Sequence, residues 1–127
     1  MTGCVLDASA VIAYIRREPG AEIVGPVLAS SILSAVNAGE VVSRLIKLGT
    51  EPAGAIELVR QLDYEIVAVD AATGLRAGEL IALTLSRGLS LGDRVCLALA
   101  EREGVPALTA DRAWADLGLD IKVSLIR

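Results

Sequence analysis

The sequence contains no histidine and no phenylalanine, and its only aromatic residues are Tyr14, Tyr64 and Trp114. The lack of histidine excludes serine–histidine and cysteine–histidine catalysis, histidine general bases and the common zinc sites. The scarcity of aromatic side chains leaves little material for a platform on which single-stranded bases could stack. Any chemistry must therefore depend on carboxylates, hydroxyls, arginine or a metal held by oxygen.

Cysteine and long apolar runs are also scarce. Cys4 and Cys96 each lie in an apolar stretch, which predicts two small buried side chains rather than a disulfide framework or a metal site. Charged residues such as Asp7, Asp70 and Glu79 interrupt the apolar runs, so none approaches the ~18–20 residues of a membrane helix. The N-terminus lacks a basic segment followed by an uninterrupted apolar one. We therefore expect no signal peptide, no membrane contact and a cytoplasmic protein.

The length and charge point to a small globular protein. The chain has 127 residues, near the modal size of one domain, and 54% of them are hydrophobic while 22% are charged. A net charge of -4 argues against a broad nucleic-acid-binding surface but allows a local basic rim. Of the 12 basic residues all but Lys47 and Lys122 are arginine, the better bidentate partner for phosphate.

Strand-like runs alternate with helical patterns along the whole sequence. The runs at 4–7, 30–35, 64–70, 106–111 and 121–126 are predicted strands, and the patterns at 8–16, 21–28, 38–48, 52–62, 72–86 and 91–103 are predicted helices. Such alternation is typical of βαβ units with a parallel sheet covered on both faces. We predict an α/β protein: a single domain over 1–127, a three-layer α/β/α sandwich whose mainly parallel five-stranded sheet has the order 3-2-1-4-5.

Acidic residues lie at one edge of this predicted sheet. Asp7 and Asp111 end strands 1 and 4, which are neighbours in the predicted order, and Glu40 and Asp93 lie near helix starts at the same edge. Four carboxylates at one place repel each other unless a cation offsets their charge. An all-oxygen cluster suits a hard cation such as Mg²⁺ or Mn²⁺, which can polarise a phosphodiester and activate water. The pattern therefore favours nuclease chemistry.

Each acid also has a purely structural interpretation as a helix cap, because aspartate is a good N-cap residue. Capping predicts scattered acids, one for each helix, and does not predict that several converge. Asp70 follows the predicted edge strand, remote from the others, and keeps the capping interpretation. The residues that suit such caps are Asp7, Asp70 and Asp111 and the capping-box pairs Asn37–Glu40 and Ser90–Asp93.

Four sequence blocks together resemble the PIN-domain ribonucleases, and specifically the VapC-type toxins of prokaryotic toxin–antitoxin pairs. The blocks are VLDASAVIAYI (5–15), SAVNAGEVVSRL (34–45), LSLGDRVCLALA (89–100) and ALTADRAWADL (107–117). Their order and spacing carry the resemblance over the whole chain. It implies a Mg²⁺- or Mn²⁺-dependent endoribonuclease, a hydrolase that cleaves RNA phosphodiesters by metal-activated water.

The resemblance also implies roles for individual residues. It makes Asp7, Glu40, Asp93 and Asp111 the acidic metal site, with Glu40 either a ligand or the group that orients the attacking water. Ser9, a hydroxyl two residues after Asp7, and Asp116 become residues that contact the ligands. Gly39 departs from the pattern, since a larger helix former is often found there. The candidates for a basic RNA-binding rim are Arg16, Arg17, Arg94 and Arg112.

The partners implied are an RNA substrate, a small antitoxin protein and a second copy of the chain in a homodimer. The apolar stripe Val11, Ile12, Tyr14 and Ile15 is compatible with part of an antitoxin groove, but core packing explains most of it. One alternative is an inactive PIN-fold domain that serves only in interaction or regulation. A receiver-like phosphoacceptor domain is another: Asp70 would be its acceptor, although only one acid follows strand 1.

Overall fold

The computed structural model describes residues 2–127 and contains a five-stranded sheet. The strands are β1 (Cys4–Leu6), β2 (Ser31–Ser34), β3 (Glu65–Val67), β4 (Ala107–Thr109) and β5 (Val123–Leu125). Every neighbouring pair is parallel, and the order is β3-β2-β1-β4-β5. The predicted order and direction are confirmed. A receiver-like domain has the order 2-1-3-4-5, so that alternative is wrong.

Helices and short 3₁₀ turns connect the strands. The helices are α1 (Ala8–Arg16), α2 (Ala21–Val24), α3 (Ala35–Lys47), α4 (Pro52–Gln61), α5 (Ala71–Glu79), α6 (Ile81–Thr84) and α7 (Leu91–Glu103). The 3₁₀ turns span Gly25–Ser30, Leu85–Arg87 and Arg112–Trp114. Among the described residues, no helix is both long enough and apolar enough to cross a membrane.

Alternate residues of the central strands pack into two hydrophobic cores, one on each face of the sheet. Leu6 packs with buried residues of α1, α3 and α4, whereas its neighbour Val5 packs with α5 and α7. Because side chains alternate between the faces of a strand, strands covered on both faces read as continuous apolar runs. The predicted three layers, with helices on both sides of the sheet, follow from this pattern.

Three predicted helices have different bounds in the structure. The helix predicted over 21–28 is α2 (Ala21–Val24) followed by the 3₁₀ turn Gly25–Ser30. Helix α3 begins at Ala35 rather than near 38, because the Ser34 hydroxyl accepts a hydrogen bond from the Asn37 amide and ends β2 directly in a helix cap. The helix predicted over 72–86 is divided into α5, α6 and a 3₁₀ turn. Arg94 reaches from α7 to the carbonyl oxygens of Ala77 and Gly78, in the last turn of α5, where helix carbonyls lack partners within the helix.

Candidate active site

Asp7 occupies the junction between β1 and α1 at the carboxyl edge of the sheet. Only 4% of its surface is exposed, and its Oδ1 accepts a hydrogen bond of 2.8 Å from the Ala10 amide. Ser9 Oγ lies 2.8 and 2.9 Å from the two carboxylate oxygens, and Thr109 Oγ1 donates to Oδ2 at 2.6 Å. Within residues 2–127 no arginine or lysine forms an ion pair with Asp7. Asp7 is therefore both a helix cap and a buried acid without a cationic partner.

Burial dominates the titration of Asp7. The pKa of the carboxyl is raised from 3.8 to about 6, mainly by burial and to a smaller extent by the charge of Asp93. Hydrogen bonds from Thr109, Ala10 and Ser9 lower the pKa but do not cancel the loss of hydration. Asp7 is still mainly ionised at neutral pH, so the fold holds an uncompensated negative charge in its interior.

Two hydroxyls join Asp7 to the end of β4. Thr109 is fully buried, and its Oγ1 accepts a hydrogen bond of 3.0 Å from the Asp111 amide while it donates to Asp7. Ser9 Oγ accepts one of 2.9 Å from the Ala110 amide. The sequence interpretation included Ser9 but missed Thr109. A hydroxyl two residues before Asp111, matching the one two residues after Asp7, is the signal that could have identified it.

Asp93 lies in the first turn of α7, Asp111 directly precedes the last 3₁₀ turn, and each binds a nearby main-chain amide with one oxygen. Asp93 Oδ2 accepts from the Ser90 amide at 2.9 Å, and Ser90 Oγ accepts from the Asp93 amide at 3.1 Å, which forms the predicted capping box. Asp111 Oδ1 accepts from the Ala113 amide at 2.9 Å. The other carboxylate oxygen of each aspartate has no hydrogen-bond partner among the described residues, so it can bind a ligand without breaking the cap.

Glu40 is held by Asn37 on the first turns of α3. Asn37 Nδ2 donates to Glu40 Oε1 at 2.7 Å and to the Gly92 carbonyl at 3.1 Å, and its Oδ1 accepts from the Ser34 hydroxyl at 2.8 Å. The prediction that Asn37 and Glu40 form a capping box is wrong, since Ser34 caps the helix. Asn37, which is 1% exposed, instead ties α3 to α7.

Gly92 allows this approach of α3 to α7. A Cβ atom on Gly92 would lie 2.6 Å from Cδ and Oε1 of Glu40, closer than real side-chain contacts allow. Only glycine therefore leaves room for the Glu40 carboxylate beside the residue that precedes Asp93. Asn37 and Gly92 both lie in the sequence blocks given above. Their contact could not be predicted there, because it joins residues far apart in the chain.

The buried thiol of Cys96 lies within electrostatic reach of three of these acids. Burial first, and then the charges of Asp7, Asp93 and Glu40, raise the pKa of the thiol well above 9.0. The prediction that Cys4 and Cys96 are free and buried is confirmed.

Asp111, the fourth acid, is joined to Asp7 through the hydroxyl of Thr109, as described above. Asp70 is not part of this hydrogen-bond network. It follows the edge strand β3, its side chain is 59% exposed, and its carboxylate binds the Thr73 amide and Arg102. Asp70 is therefore a helix cap and no part of the acidic group.

The donor set fits a hard cation, although the acids do not already form a finished cage. Within residues 2–127 no three or more Asp, Glu, Cys or His side chains form a group that could hold a metal ion as they stand. One carboxylate oxygen of each of three acids, Asp7, Asp93 and Asp111, is bound to a main-chain amide at a helix start. The free oxygens of Asp93 and Asp111 and the unpaired charge of Asp7 are nevertheless the oxygen donors that Mg²⁺ and Mn²⁺ prefer.

The arginines predicted to form a basic rim are in different environments. Arg16, Arg17 and Arg112 are exposed, and Arg16 pairs with Glu18 at 3.3 Å. Arg94 does not belong to a rim: it is 8% exposed and binds main-chain carbonyls of α5, so its prediction as an exposed RNA contact is wrong. A position facing α5 rather than solvent explains the difference.

Asp116, predicted to contact the metal ligands, is exposed and follows the last 3₁₀ turn in a left-handed conformation (φ 56°). It lines a cavity of about 280 Å³ with mainly apolar residues that include Trp114, Leu117 and Leu119, and none of the four acids lines that cavity. The Gly39 position is also clear: a Cβ atom there would meet nothing within 4 Å, so no close packing within residues 2–127 requires glycine.

Comparisons with known proteins place this geometry in context. A family model described as PIN domain matches residues 4–119. No curated protein matches the sequence. Among solved structures, DNA-bound VapBC from Salmonella typhimurium is similar with a TM-score of 0.77 and 15% identity over 100% of both chains. A toxin–antitoxin complex from Klebsiella pneumoniae gives a TM-score of 0.73 and 16% identity over 98% of each chain.

A third similar structure is VapC20 from Mycobacterium tuberculosis, described as a sarcin-ricin loop cleaving toxin. Its TM-score is 0.73 and its identity 18%, over 91% of the present chain and 93% of that one. At these identities the likeness is one of fold.

Proposed function

The chain belongs to the PIN domain family, and from this premise we propose that it is a Mg²⁺- or Mn²⁺-dependent endoribonuclease, the toxin of a toxin–antitoxin pair. The observation that carries the proposal is the buried Asp7 carboxylate, whose pKa is raised to about 6 and which lacks a cationic partner in the described residues. A divalent cation would remove this electrostatic cost, and one similar structure is described as a sarcin-ricin loop cleaving toxin.

In this proposal Asp7, Asp93 and Asp111 hold the cation through carboxylate oxygens. The bound cation would lower the pKa of an attacking water and offset negative charge on the phosphate. Glu40, fixed by Asn37, either completes the ligand set or accepts a hydrogen bond from the water and orients it. Ser9 and Thr109 keep the Asp7 oxygens in place.

RNA cleavage assays with matched variants test the proposal. Purified protein is incubated with total RNA and with a synthetic sarcin-ricin hairpin, in EDTA and with added Mg²⁺ or Mn²⁺. We expect metal-dependent cleavage that Asp7→Asn and Asp93→Asn each reduce by about 10²–10³-fold, which corresponds to several kcal/mol of lost stabilisation. Asp70→Asn is the control, because Asp70 also follows a strand and caps a helix but lies after the edge strand. This variant should cleave RNA like the wild type.

Absence of metal-dependent cleavage, or unchanged cleavage by the Asp7 and Asp93 variants, would leave the inactive interaction domain as the better interpretation. Thermal unfolding with and without Mg²⁺ separates the two cases further. A nuclease site binds the ion and raises the midpoint of the wild type but not that of Asp7→Asn, as expected when a ligand binds only the folded state.

We further propose that the antitoxin docks beside α1, α2 and α4. Tyr14 and Ile15, half-buried at the end of the predicted apolar stripe, line a cavity of about 450 Å³ with Leu58 and Leu62. Val11 and Ile12 lie in the core, which confirms the packing interpretation for them. The test is to isolate tagged protein from its native host and to identify a small partner that inhibits cleavage when added back. Tyr14→Arg should abolish this inhibition and leave cleavage intact.

A homodimer is proposed from the exposed apolar residues between α5 and α7. Large apolar side chains that are 45–76% exposed concentrate there, and such a surface is typical of an interface. They are Leu75, Ile81, Leu83, Leu85 and Leu91. Sedimentation should give a dimer for the wild type and a monomer for a Leu83→Lys, Leu85→Lys double variant. An unchanged mass of the variant would assign the dimer to another surface.

A further inference from the structure

The outer face of α3 carries two cations next to Glu40. Arg44 and Lys47 are exposed, and within residues 2–127 neither lies within ion-pair distance of a carboxylate. By contrast, Arg76 pairs with Glu79 and Glu101 on the opposite side of the sheet. In a chain with a net charge of -4, two unpaired cations beside the acidic site form a local positive strip.

Arg44 lacks a partner even though the sequence provides one. Glu40 and Arg44 are four residues apart, with the acid on the N-terminal side, the arrangement that favours an ion pair on a helix. The pair does not form because Asn37 Nδ2 holds Glu40 Oε1 at 2.7 Å and the carboxylate packs against Gly92. The guanidinium of Arg44 is therefore left for an anion outside the described chain.

Two adjoining cavities share Glu40 and Arg44. The first, about 450 Å³, reaches Ser9 and Arg127, and the second, about 550 Å³, reaches Gly39 and Lys47. Because both residues line both cavities, a single open surface passes from the hydroxyl beside Asp7, over Glu40, and along α3. Glu18 also lines the first cavity and pairs with Arg127, so the unpaired cations of this surface are Arg44 and Lys47. Two unpaired cations along an open surface suit contact with phosphates.

Gly39 lines the second cavity, and no contact among the described residues requires glycine at this position. Glycine lowers the stability of a helix relative to alanine. A Cβ atom at Gly39 would meet nothing within 4 Å, unlike one at Gly92, where Glu40 fills the space. The bare backbone at Gly39 therefore leaves room for close approach by a molecule from outside the chain.

We propose that the α3 strip, defined as Gly39, Ser43, Arg44 and Lys47, binds the RNA backbone next to the cleaved phosphodiester. Arg44 contacts a phosphate, Lys47 adds charge, and Gly39 lets the strand lie close to the helix. The inference rests on the proposed ribonuclease function and adds residues that hold the substrate. A protein partner at the same strip is the competing outcome.

Binding of a fluorescently labelled single-stranded RNA, followed by anisotropy in EDTA and in the slowly cleaving Asp93→Asn background, tests the strip. Arg44→Ala should weaken binding about tenfold, as for loss of a hydrogen bond to a charged group, and should reduce the slope of log K against log salt by about 0.7. Arg44→Lys should recover part of the affinity because it restores the charge. Arg60→Ala is the matched control: Arg60 is also exposed, unpaired and in the last turn of a helix, α4.

Gly39→Gln separates a loss of RNA binding from a loss of stability, because the two measurements should change in opposite directions. It should raise the thermal stability of the fold, because glycine is replaced by a helix former in open space, and yet weaken RNA binding and raise KM with little change in kcat. Gly54→Gln, at an exposed glycine of α4, should also be stable but bind RNA like the parent protein.

The outcomes distinguish the inference from the function on which it rests. Wild-type protein that neither binds nor cleaves RNA overturns the proposed function and the strip together. Cleavage that Asp93→Asn reduces, with full RNA binding by Arg44→Ala and Gly39→Gln, overturns the strip alone. The same two variants binding RNA normally but escaping an inhibitory partner would assign the strip to that partner and also overturn the inference.

Discussion

Replacement of Asp7 by asparagine should stabilise the metal-free protein while it removes activity. The carboxyl pKa is raised from 3.8 to about 6, mainly by burial. A shift of about two units at ~1.36 kcal/mol each means that ionised Asp7 costs about 3 kcal/mol at neutral pH. Asparagine keeps an oxygen for the Ala10 amide and offers an NH₂ group to the Thr109 hydroxyl. Loss of charge-assisted hydrogen bonds offsets part of the gain, which leaves about 1–2 kcal/mol.

Urea unfolding in EDTA at pH 7.5 measures this difference. With a slope of about 2 kcal/mol per molar urea, the midpoint of Asp7→Asn should lie roughly 0.5–1 M above that of the wild type. A group whose pKa is raised on folding contributes its stability below the unfolded pKa and loses it as pH rises through the folded value. The difference should therefore shrink as the pH falls from about 6 to 4.

Asp70→Asn is the control for a helix cap without burial. The pKa of Asp70 is lowered by its hydrogen bonds to Thr73, so this variant should gain no stability at pH 7.5. The reasoning is refuted if Asp7→Asn is less stable than the wild type in EDTA at pH 7.5, or if its advantage persists unchanged at pH 4. Saturating Mg²⁺ should reverse the order, since a ligand at 100 times its Kd adds about 2.7 kcal/mol to the wild type only.

Three further variants examine the groups around the acids. Thr109→Val removes the hydroxyl that donates to Asp7 at 2.6 Å, so stability measured in urea should fall by about 1–3 kcal/mol and cleavage by about 10–100-fold; normal cleavage would contradict its positioning function. Gly92→Ala places a methyl group in the space of the Glu40 carboxylate, so cleavage should fall even where thermal unfolding shows a folded protein. Arg94→Ala should lower the free energy of unfolding by about 2–4 kcal/mol, because the side chain is buried. The salt dependence of RNA binding should not change; a reduced salt dependence would show that Arg94 contacts RNA after all.

The sheet, and the positions of Asp7 and Asp111 after neighbouring strands, could be predicted because they depend on patterns along the chain. Apolar runs alternating with helical patterns determine a parallel sheet, and strand order then separates Asp7 from its look-alike Asp70. Both aspartates follow a strand and cap a helix. Only the position of the strand, central or edge, makes one buried and the other exposed.

Contacts between distant segments could not be predicted in the same way. Ser34 and Asn37 are both good cap residues, and only the continuation of β2 into α3 decides for Ser34. Arg94 follows an acid in a first helical turn, a position that is usually exposed, but packing against α5 buries it. Arg44 has no ion pair among the described residues because Asn37 binds the carboxylate of Glu40. This arrangement of three residues cannot be recognised from the sequence spacing of any two of them.

The tie between α3 and α7 bears on how the site would respond to a ligand. Asn37 already fixes the two helices at the distance that places Glu40 beside Gly92. If an ion binds as proposed, it would require rotation of a few carboxylates and no folding or closure of the main chain. The entropy lost is that of side-chain rotamers alone, of the order of 1–2 kcal/mol for each long side chain ordered. Such a preorganised main chain predicts that backbone amide exchange in α3 and α7 stays nearly constant on ion binding, while the carboxylate side chains lose their motion.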